Sequence, residues 1–238
     1  MNAALAIFVK TPGLSPVKTR LAASTNSNFA EEFYLQAIGI TRLVVSAATQ
    51  AQPEINPYWA VAEQDGLGHF LWSDFSRLGQ GDGPLGDRLA FVYNDLKRHH
   101  DAVIFIGADC PLLTAQHIIR AYDLLATRPR QDHFVIGPAQ DGGFYLFAGG
   151  KHISKEEWSS VQYSQSDTKN QLSKILNKRG RVMELEPLSD IDTHDDLIGL
   201  AQTIVTKENL LDVQIKLLNW IAKSEKEKIT SSAGNKKY

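Results

Sequence analysis

The first residues that suggest chemistry are three cations grouped after a short apolar segment near the start of the sequence. Lys10, Lys18 and Arg20 all lie within Lys10–Leu21, a segment that two prolines stiffen and Gly13 bends. Cations grouped on one stiff loop suit an anion such as a diphosphate. A solvated surface loop explains the same charges, and the segment lacks the glycine pattern of a P-loop.

A carboxylate follows the most apolar segment of the chain. Asp109 comes shortly after Val103–Ile106. Hard divalent ions such as Mg²⁺ and Mn²⁺ bind one or two carboxylates together with substrate phosphate oxygens, so Asp109 is a candidate metal ligand. A turn residue close to Pro111 is the alternative. Cys110 is predicted to be a small buried side chain rather than a nucleophile, because no cation in the segment would lower its pKa.

Glycines surround a second candidate carboxylate, in the segment Gly137–Tyr145. An Asp-Gly pair between two strand-like segments predicts a hairpin turn. Glycines also let a ligand approach the backbone closely, so Asp141, Gly142 and Gly143 are candidates for binding the hydroxyl groups of a substrate. The two interpretations are compatible.

A third carboxylate lies in Asp190–Leu197. Thr193 followed three residues later by Asp196 resembles a capping box in which Asp replaces the usual Glu or Gln. Capping explains those two residues without any function. It does not explain Asp192, which we interpret as a second carboxylate for a metal ion held by Asp109.

One further motif favours a different class of protein. Gly81–Gly86 satisfies G-x-G-x-x-G, and Asp101 lies at a distance that suits a dinucleotide ribose. That fingerprint must follow a strand, whereas Trp72–Leu78 is a poor strand, and its acid should end the next strand, whereas Asp101 precedes it. We therefore reject a dinucleotide-dependent dehydrogenase, but keep Gly86 and Arg88, at a helix start, as candidate ligand contacts.

The composition of the 238-residue chain excludes several classes of protein. Apolar residues make up 43%, charged residues 22%, and the formal net charge is -2, so nothing indicates disorder or general binding to nucleic acid or anionic lipid. The single cysteine fits a reducing compartment. Ala3–Val9 is too short for a signal peptide or a membrane span. We expect a cytoplasmic protein, and its oligomeric state stays open.

Short apolar segments alternate with longer segments of helical period, which predicts a three-layer α/β/α sandwich with a mostly parallel sheet. The predicted strands are Leu5–Val9, Tyr58–Ala62, Val103–Ile106, Phe134–Ile136, Phe144–Phe147 and Val182–Leu185. The predicted helices are Asn28–Ala48, Leu85–Arg98, a helix capped by Thr114 that runs to Leu125, Leu197–Val205 and Leu210–Ala222. Ligands bind at the carboxyl ends of such strands, where the polar segments above are placed. We expect one domain over residues 1–222 and a disordered polar tail over residues 223–238.

Several stretches, taken in chain order, resemble one protein family. They are Phe8–Pro12, Val17–Leu21, Gly83–Leu89, Gly107–Leu112, Gly137–Tyr145 and Asp190–Thr193. Together they resemble the bacterial glycosyltransferase-A-like proteins of the DUF2064 type, which are related to molybdenum-cofactor and 2-phospholactate nucleotidyltransferases. The resemblance covers about residues 4–200 and implies a nucleotide-diphospho-sugar transferase fold.

The resemblance also implies roles for the candidate residues. Asp109 would be a metal ligand and Asp192 would match the second metal-site acid of the related nucleotidyltransferases. The sequence departs from the Asp-x-Asp motif of many glycosyltransferases, because Pro111 occupies the second acidic position. The candidate phosphate-binding residues are Lys10, Thr11, Lys18, Arg20, Gly86 and Arg88.

The leading hypothesis is transfer of a glycosyl group from a nucleotide-sugar to a small acceptor, assisted by Mg²⁺ or Mn²⁺. Asp109, Lys18 and Arg20 would stabilise the leaving diphosphate, and Asp141 would orient or deprotonate the acceptor. One alternative is nucleotidyl transfer from an NTP to a phosphorylated acceptor, with release of pyrophosphate. Another is a catalytically silent nucleotide-binding protein, a reading that the missing Asp-x-Asp motif supports.

Overall fold

The computed structural model describes residues 1–127, 133–203 and 210–234. Within these residues the chain forms a seven-stranded sheet. The strands are β1 (Ala3–Val9), β2 (Ile55–Val61), β3 (Ser76–Gly79), β4 (Ala102–Gly107), β5 (His133–Pro138), β6 (Phe144–Gly149) and β7 (Arg181–Glu184). The helices are α1 (Thr19–Ser24), α2 (Ser27–Ala51), α3 (Leu85–Lys97), α4 (Ala115–Ala126), α5 (Lys155–Ser159), α6 (Thr168–Leu176), α7 (His194–Thr203) and α8 (Asp212–Gly234).

The sheet is mostly parallel, as expected, with the order β3-β2-β1-β4-β6-β5-β7. The strand β6 runs antiparallel to both of its neighbours, β4 and β5, while the other pairs of neighbouring strands are parallel. The Asp-Gly segment between β5 and β6 therefore forms the hairpin that its sequence predicts. The carboxyl ends of β1, β4, β5 and β7 lie along one edge of the sheet.

Two apolar cores, one on each face of the sheet, establish the three layers. In β1 the alternate residues from Ala3 to Val9 belong to one core, whereas Ala4 and Ala6 belong to the other. This division follows from the geometry of a strand, because successive side chains point to opposite faces. The first core also contains buried residues of α2, α4, α7 and α8, and the second contains those of α3, α5 and α6.

Sequence patterning identified most of the elements but missed β3 and the helices α1, α5 and α6. The strand β3 is an edge strand of four residues, two of them exposed, and α1 has six residues, so neither is long enough to show a clear period. A short strand thus precedes Gly81, in part of the Trp72–Leu78 segment that the sequence marks as a poor strand. The dinucleotide site is still rejected, because Asp101 lies in the wrong place. Its carboxylate accepts a hydrogen bond from the backbone N–H of Asn2 at 2.8 Å, beside the start of β1. That is the edge of the sheet opposite the carboxyl ends.

The end of the chain also differs from the sequence expectation. The helix α8 continues to Gly234, past the boundary predicted at residue 222, so the polar tail over residues 223–238 stays a prediction. Part of the helix predicted over Leu197–Val205 lies outside the described residues. Among the residues that the structure describes, no helix is long and apolar enough to cross a membrane.

Candidate active site

Two carboxylates meet at the carboxyl ends of the central strands. Gly107, the last residue of β4, is paired in register with Phe8 of β1, and Asp109 follows two residues later. The backbone carbonyl of Asp109 accepts a hydrogen bond from the N–H of Ile191 at 3.3 Å. This contact brings the segment before α7 to the end of β4 and places Asp192 next to Asp109.

The ammonium group of Lys18 lies between these two carboxylates. Its Nζ is 3.1 Å from Oδ2 of Asp109 and 2.8 Å from Oδ1 of Asp192. The Lys18 side chain is 5% exposed, whereas the side chains of Asp109 and Asp192 are 42% and 37% exposed. The two carboxylates are therefore partly exposed to solvent, whereas the ammonium group that contacts both of them is buried.

The backbone of Lys18 adopts a conformation that residues other than glycine rarely adopt. Its φ is 44° and its ψ is 47°, in the left-handed region, immediately before α1. This conformation costs roughly 1 kcal/mol for a residue with a Cβ. Such strain is found most often at functional sites, where the surrounding contacts maintain it. Here the two ion pairs are the contacts that hold Lys18 in place.

The charges of this group reinforce one another. Burial alone would lower the pKa of the Lys18 ammonium, but Asp109 and Asp192 together raise that pKa above its ordinary value. In turn, the charge of Lys18 lowers the pKa of Asp109, against the opposing effect of burial. Lys18 and Asp109 are consequently both charged near neutral pH.

The predicted capping box orients Asp192. The carboxylate of Asp196 accepts hydrogen bonds from the backbone N–H of Thr193 at 2.7 Å and of Asp192 at 3.0 Å. The Thr193 hydroxyl accepts one from the N–H of Asp196 at 3.3 Å. The carboxylate of Asp192 is not used by the cap, so it is free to bind Lys18.

Two more cations of the first segment reach the same place. Arg20 places Nη1 3.7 Å from Oδ2 of Asp192, and its side chain is 63% exposed. Lys10 is exposed just after the end of β1. The Tyr34 hydroxyl accepts a hydrogen bond from the backbone N–H of Lys10 at 2.8 Å and donates one to the backbone carbonyl of Lys10 at 2.9 Å. Lys10, Lys18 and Arg20 line a pocket of about 470 Å³ together with the two carboxylates. We call it the phosphate pocket.

Other predicted contacts do not reach the phosphate pocket. Thr11 is fully buried: its N–H donates to Glu63 at 2.8 Å and its hydroxyl accepts from the indole of Trp72 at 3.2 Å. Thr11 is therefore not among the residues that line the phosphate pocket. Its burial has no signal in the sequence, because it depends on the distant residues Glu63 and Trp72.

Gly86 and Arg88 also have structural roles. A Cβ at Gly86 would lie 2.8 Å from the carbonyl oxygen of Trp158, so the missing side chain allows α3 to pack against α5. The guanidinium of Arg88 donates to the carbonyl of Gly83 at 2.8 Å and fixes the loop before α3. Neither residue is among those lining the phosphate pocket.

In the glycine-rich hairpin, Gly142 has a structural role and Asp141 lines the phosphate pocket. A Cβ at Gly142, where φ is 92°, would overlap the carbonyl oxygen of Ser166, so this position requires glycine. The N–H of Gly143 donates to Oδ1 of Asp141 at 2.7 Å and orients that carboxylate. Asp141 is exposed and lines the phosphate pocket.

Two residues of the site were missed by the sequence reasoning. Asp190 lies near Asp109, Asp141 and Asp192, and burial, followed by the charges of these acids, raises its pKa to about 7. Its place in the Asp190–Leu197 segment was a signal that could have identified it. Gln80 lines the phosphate pocket and donates from Nε2 to the carbonyls of β1 and β2, and no motif marks it. Cys110 is buried, as predicted, and burial raises the pKa of its thiol.

Asp109 and Asp192 are the residues that fit a divalent metal ion. Both contact one cation, the Lys18 ammonium, so they lie close enough together for a single ion to contact both. The described residues contain no group of three or more His, Cys, Asp or Glu side chains arranged for a metal. Two carboxylates suit an ion such as Mg²⁺ whose other ligands are water and substrate phosphate oxygens, rather than one held by protein alone.

This sheet order, with the basic segment and the acids at its carboxyl edge, defines a protein of the nucleotide-diphospho-sugar transferase fold. The chain belongs to the DUF2064 family, whose description is an uncharacterized protein conserved in bacteria, and the family model matches residues 43–165. The match includes Asp109 and Asp141, whereas Lys18 and Asp192 lie outside it.

Solved structures share the fold at low sequence identity. A "putative nucleotide-diphospho-sugar transferase" from Desulfovibrio desulfuricans G20 has a TM-score of 0.76 and 22% identity, over 92% of this chain and 94% of that one. A nucleotidyl transferase from Methanothermobacter thermautotrophicus has a TM-score of 0.55 and 14% identity, over 83% and 95%. A cytidylyltransferase from Leptospira borgpetersenii has a TM-score of 0.54 and 12% identity, over 95% of this chain and 96% of that one. No curated protein matches the sequence significantly.

Proposed function

We propose that this protein is a transferase that uses a nucleotide-activated donor, and that it moves a glycosyl group from a nucleotide-sugar to a small acceptor. The observation that carries the proposal is the buried Lys18 ammonium bound by both Asp109 and Asp192 in the phosphate pocket. A structure that resembles this chain at a TM-score of 0.76 is described as a "putative nucleotide-diphospho-sugar transferase", which supports the proposal.

The donor diphosphate binds to the basic side of the phosphate pocket. Lys10 and Arg20 are exposed there and carry the charge that attracts the diphosphate. The planar guanidinium of Arg20 can bind two phosphate oxygens at once. Phosphate oxygens that enter the pocket compete with the two carboxylates for the Lys18 ammonium.

A divalent ion held by Asp109 and Asp192 would neutralise charge that develops on the leaving diphosphate. The chain supplies the rest of that stabilisation through Lys18 and Arg20. The ion pairs with Asp109 and Asp192 hold the Lys18 ammonium at the site before the reaction begins.

The transfer needs no nucleophile from the protein. The acceptor hydroxyl oxygen forms a bond to the anomeric carbon, while the bond from that carbon to the diphosphate oxygen breaks and its electron pair leaves with the nucleoside diphosphate. Asp141 is placed to take the acceptor proton, because it is exposed at the pocket and its carboxylate is oriented by Gly143. Cys110 is buried and takes no part.

Nucleotidyl transfer is the second candidate, because two structures that share the fold are named as a nucleotidyl transferase and a cytidylyltransferase. In that reaction a phosphorylated acceptor attacks the α-phosphate of an NTP and pyrophosphate leaves. The same cations would serve both reactions.

Product analysis distinguishes these candidates. The protein is incubated with a panel of nucleotide-sugars and NTPs, a mixture of small acceptors, and Mg²⁺ or Mn²⁺. Release of nucleoside diphosphate from one nucleotide-sugar is the expected result, and release of pyrophosphate from an NTP would instead support nucleotidyl transfer. Metal-independent nucleotide binding that survives Asp109→Ala, with no turnover, would identify a silent nucleotide-binding protein.

Matched variants test the site itself. Arg20→Ala should weaken nucleoside diphosphate binding roughly tenfold, because a charge-assisted pair of hydrogen bonds is lost. The control is Arg42→Ala, since Arg42 is also an exposed arginine in an ion pair, with Asp74 at 3.1 Å, away from the pocket. Equal effects of the two variants would contradict the proposal.

A further inference from the structure

We infer that the acceptor is a small molecule that carries no phosphate, is neutral or cationic, and has an apolar part beside the reacting hydroxyl or amino group. The inference rests on the proposed function and names the substrate class of its second site. It follows from the shape and the charge of a second pocket, which we call the acceptor pocket.

The acceptor pocket opens directly from the phosphate pocket. It has a volume of about 260 Å³, and Asp109, Asp141 and Asp192 line both pockets. The carboxylates therefore stand at the junction, with the basic segment on one side and the acceptor pocket on the other. A molecule in the acceptor pocket would lie next to the leaving diphosphate, which is where the acceptor of a direct transfer must be.

One wall of the acceptor pocket is apolar. Phe8, Phe105, Phe144 and Tyr163 line it, together with Leu85, whose side chain is 43% exposed although it is large and apolar. Phe8 and Leu85 also line the phosphate pocket, whereas Phe105, Phe144 and Tyr163 line only the acceptor pocket. Apolar surface left open beside a set of polar groups is typical of a small-molecule site, and it favours a ligand with an apolar face.

The charge of the acceptor pocket is negative. Among the described residues that line it there are four aspartates and no Lys, Arg or His. Lys18 offsets part of the charge of Asp109 and Asp192. Asp141 forms no ion pair with any described residue, so no neighbouring cation offsets its charge. A phosphate ester, which carries close to two negative charges at neutral pH, would be repelled in this pocket.

The cations of the neighbouring phosphate pocket do not remove this repulsion. In the proposed reaction Lys18 and Arg20 bind the donor diphosphate, whose own negative charge neutralises them, and Asp109 and Asp192 would hold the divalent ion. A neutral or cationic acceptor encounters no such repulsion, and its hydroxyl or amino group can donate a hydrogen bond to Asp141 or Asp190. Its oxygen or nitrogen forms the new bond to the anomeric carbon, its proton passes to Asp141, and the nucleoside diphosphate leaves.

The experiment measures binding of matched acceptor probes by saturation-transfer NMR on the full chain. Three neutral or cationic probes are compared with their phosphate esters: phenyl glucoside, glucosamine and glycerol against phenyl glucoside 6-phosphate, glucosamine 6-phosphate and glycerol 3-phosphate. The phosphate pocket is first saturated with the nucleoside diphosphate that most raises the melting temperature, so that the esters cannot bind there. We expect at least one parent probe to bind, and its ester to bind roughly tenfold more weakly or not at all.

A charge added to the acceptor pocket should reverse this preference. Gln165 lines the pocket, is exposed, and bonds to Thr168 through backbone atoms, so Gln165→Lys should keep the fold. It should strengthen ester binding roughly tenfold and leave nucleoside diphosphate binding unchanged. Gln162→Lys is the control, since Gln162 is exposed in the same segment but is not among the residues lining the pocket.

The outcomes separate this inference from the proposed function. If no nucleotide binds, the proposed function fails and the inference fails with it. If a nucleoside diphosphate binds, but every ester binds as tightly as its parent or no probe binds, only the acceptor inference is overturned. Displacement of a bound probe by the intact nucleotide-sugar, but not by the nucleoside diphosphate, would assign the pocket to the donor sugar and also overturn it.

Discussion

The ammonium nitrogen of Lys18 lies 2.8 Å from Oδ1 of Asp192, although 174 residues separate the two in the chain. The same nitrogen binds Asp109, 91 residues away. One side chain thus joins the turn after the first strand, the end of β4 and the segment before α7. A phosphate or a metal ion that enters this site must rearrange those contacts.

Lys18 and a divalent metal ion should compete for the two carboxylates. Lys18→Met removes the ammonium and leaves Asp109 and Asp192 without their buried cation. We expect the variant to bind Mn²⁺, in the absence of nucleotide, roughly tenfold more tightly than the unmodified protein. Electron paramagnetic resonance of free Mn²⁺ measures this affinity directly. Lys10→Met is the control, because Lys10 lines the same pocket but forms no ion pair with a described residue, and an equal gain there would contradict the competition.

The turn at Gly142 should not tolerate a side chain. Gly142→Ala places a methyl group against the carbonyl of Ser166 at a φ of 92°, so we expect it to lower the free energy of unfolding by more than about 2 kcal/mol. Gly39→Ala is the matched control, because Gly39 lies within α2 with no atom within 4 Å of the added Cβ. It should raise stability by about 0.5 to 1 kcal/mol. Urea denaturation of both variants decides the prediction, which fails if Gly142→Ala is neutral.

The cap before α7 should support the site as well as the helix. Thr193→Ala removes the hydroxyl that accepts from the N–H of Asp196, so stability should fall by about 1 kcal/mol. Asp192 should also become less well oriented, and nucleoside diphosphate binding should weaken.

Thr193→Ser is the matched variant for this cap, because it keeps the hydroxyl and should restore both properties. Chemical denaturation and calorimetric titration measure them side by side. A loss of binding in Thr193→Ser as large as in Thr193→Ala would show that the hydroxyl is not responsible.

The raised pKa of Asp190 should make stability depend on pH in metal-free protein. Burial and three nearby acids raise this pKa to about 7, whereas an unfolded chain has the ordinary value of 3.8. Between these values the folded state holds a proton that the unfolded state has lost. Stability should therefore decrease as the pH rises from about 4 through 7, and the decrease should be complete above 7.

Asp190→Asn should flatten that pH profile, because an amide does not titrate. Denaturation at a series of pH values, with a chelator present, measures the slope for both proteins. Asp95→Asn serves as the control, since Asp95 is in a surface ion pair with Arg98 at 2.9 Å. An unchanged slope in Asp190→Asn would show that another group titrates.

Local sequence determined the elements that carry the site. Alternation of apolar segments with helical periods predicted the layered sheet, since each strand and helix must bury its own apolar residues. The Asp-Gly pair predicted the hairpin, and Thr193 with Asp196 predicted the cap, because both depend on hydrogen bonds between residues close in the chain. The position of polar residues just after strands identified Lys18, Asp109 and Asp192.

Only the tertiary structure decided which of these residues meet. Nothing local indicates that Lys18 is the buried partner of two acids, that Thr11 bonds to Glu63 and Trp72, or that Asp190 lies near Asp109 and Asp141. These contacts join segments that lie far apart in the chain, so they exist only after the strands have assembled in the order β3-β2-β1-β4-β6-β5-β7. Burial and charge at each group follow from that assembly, because both depend on what the rest of the chain places around it.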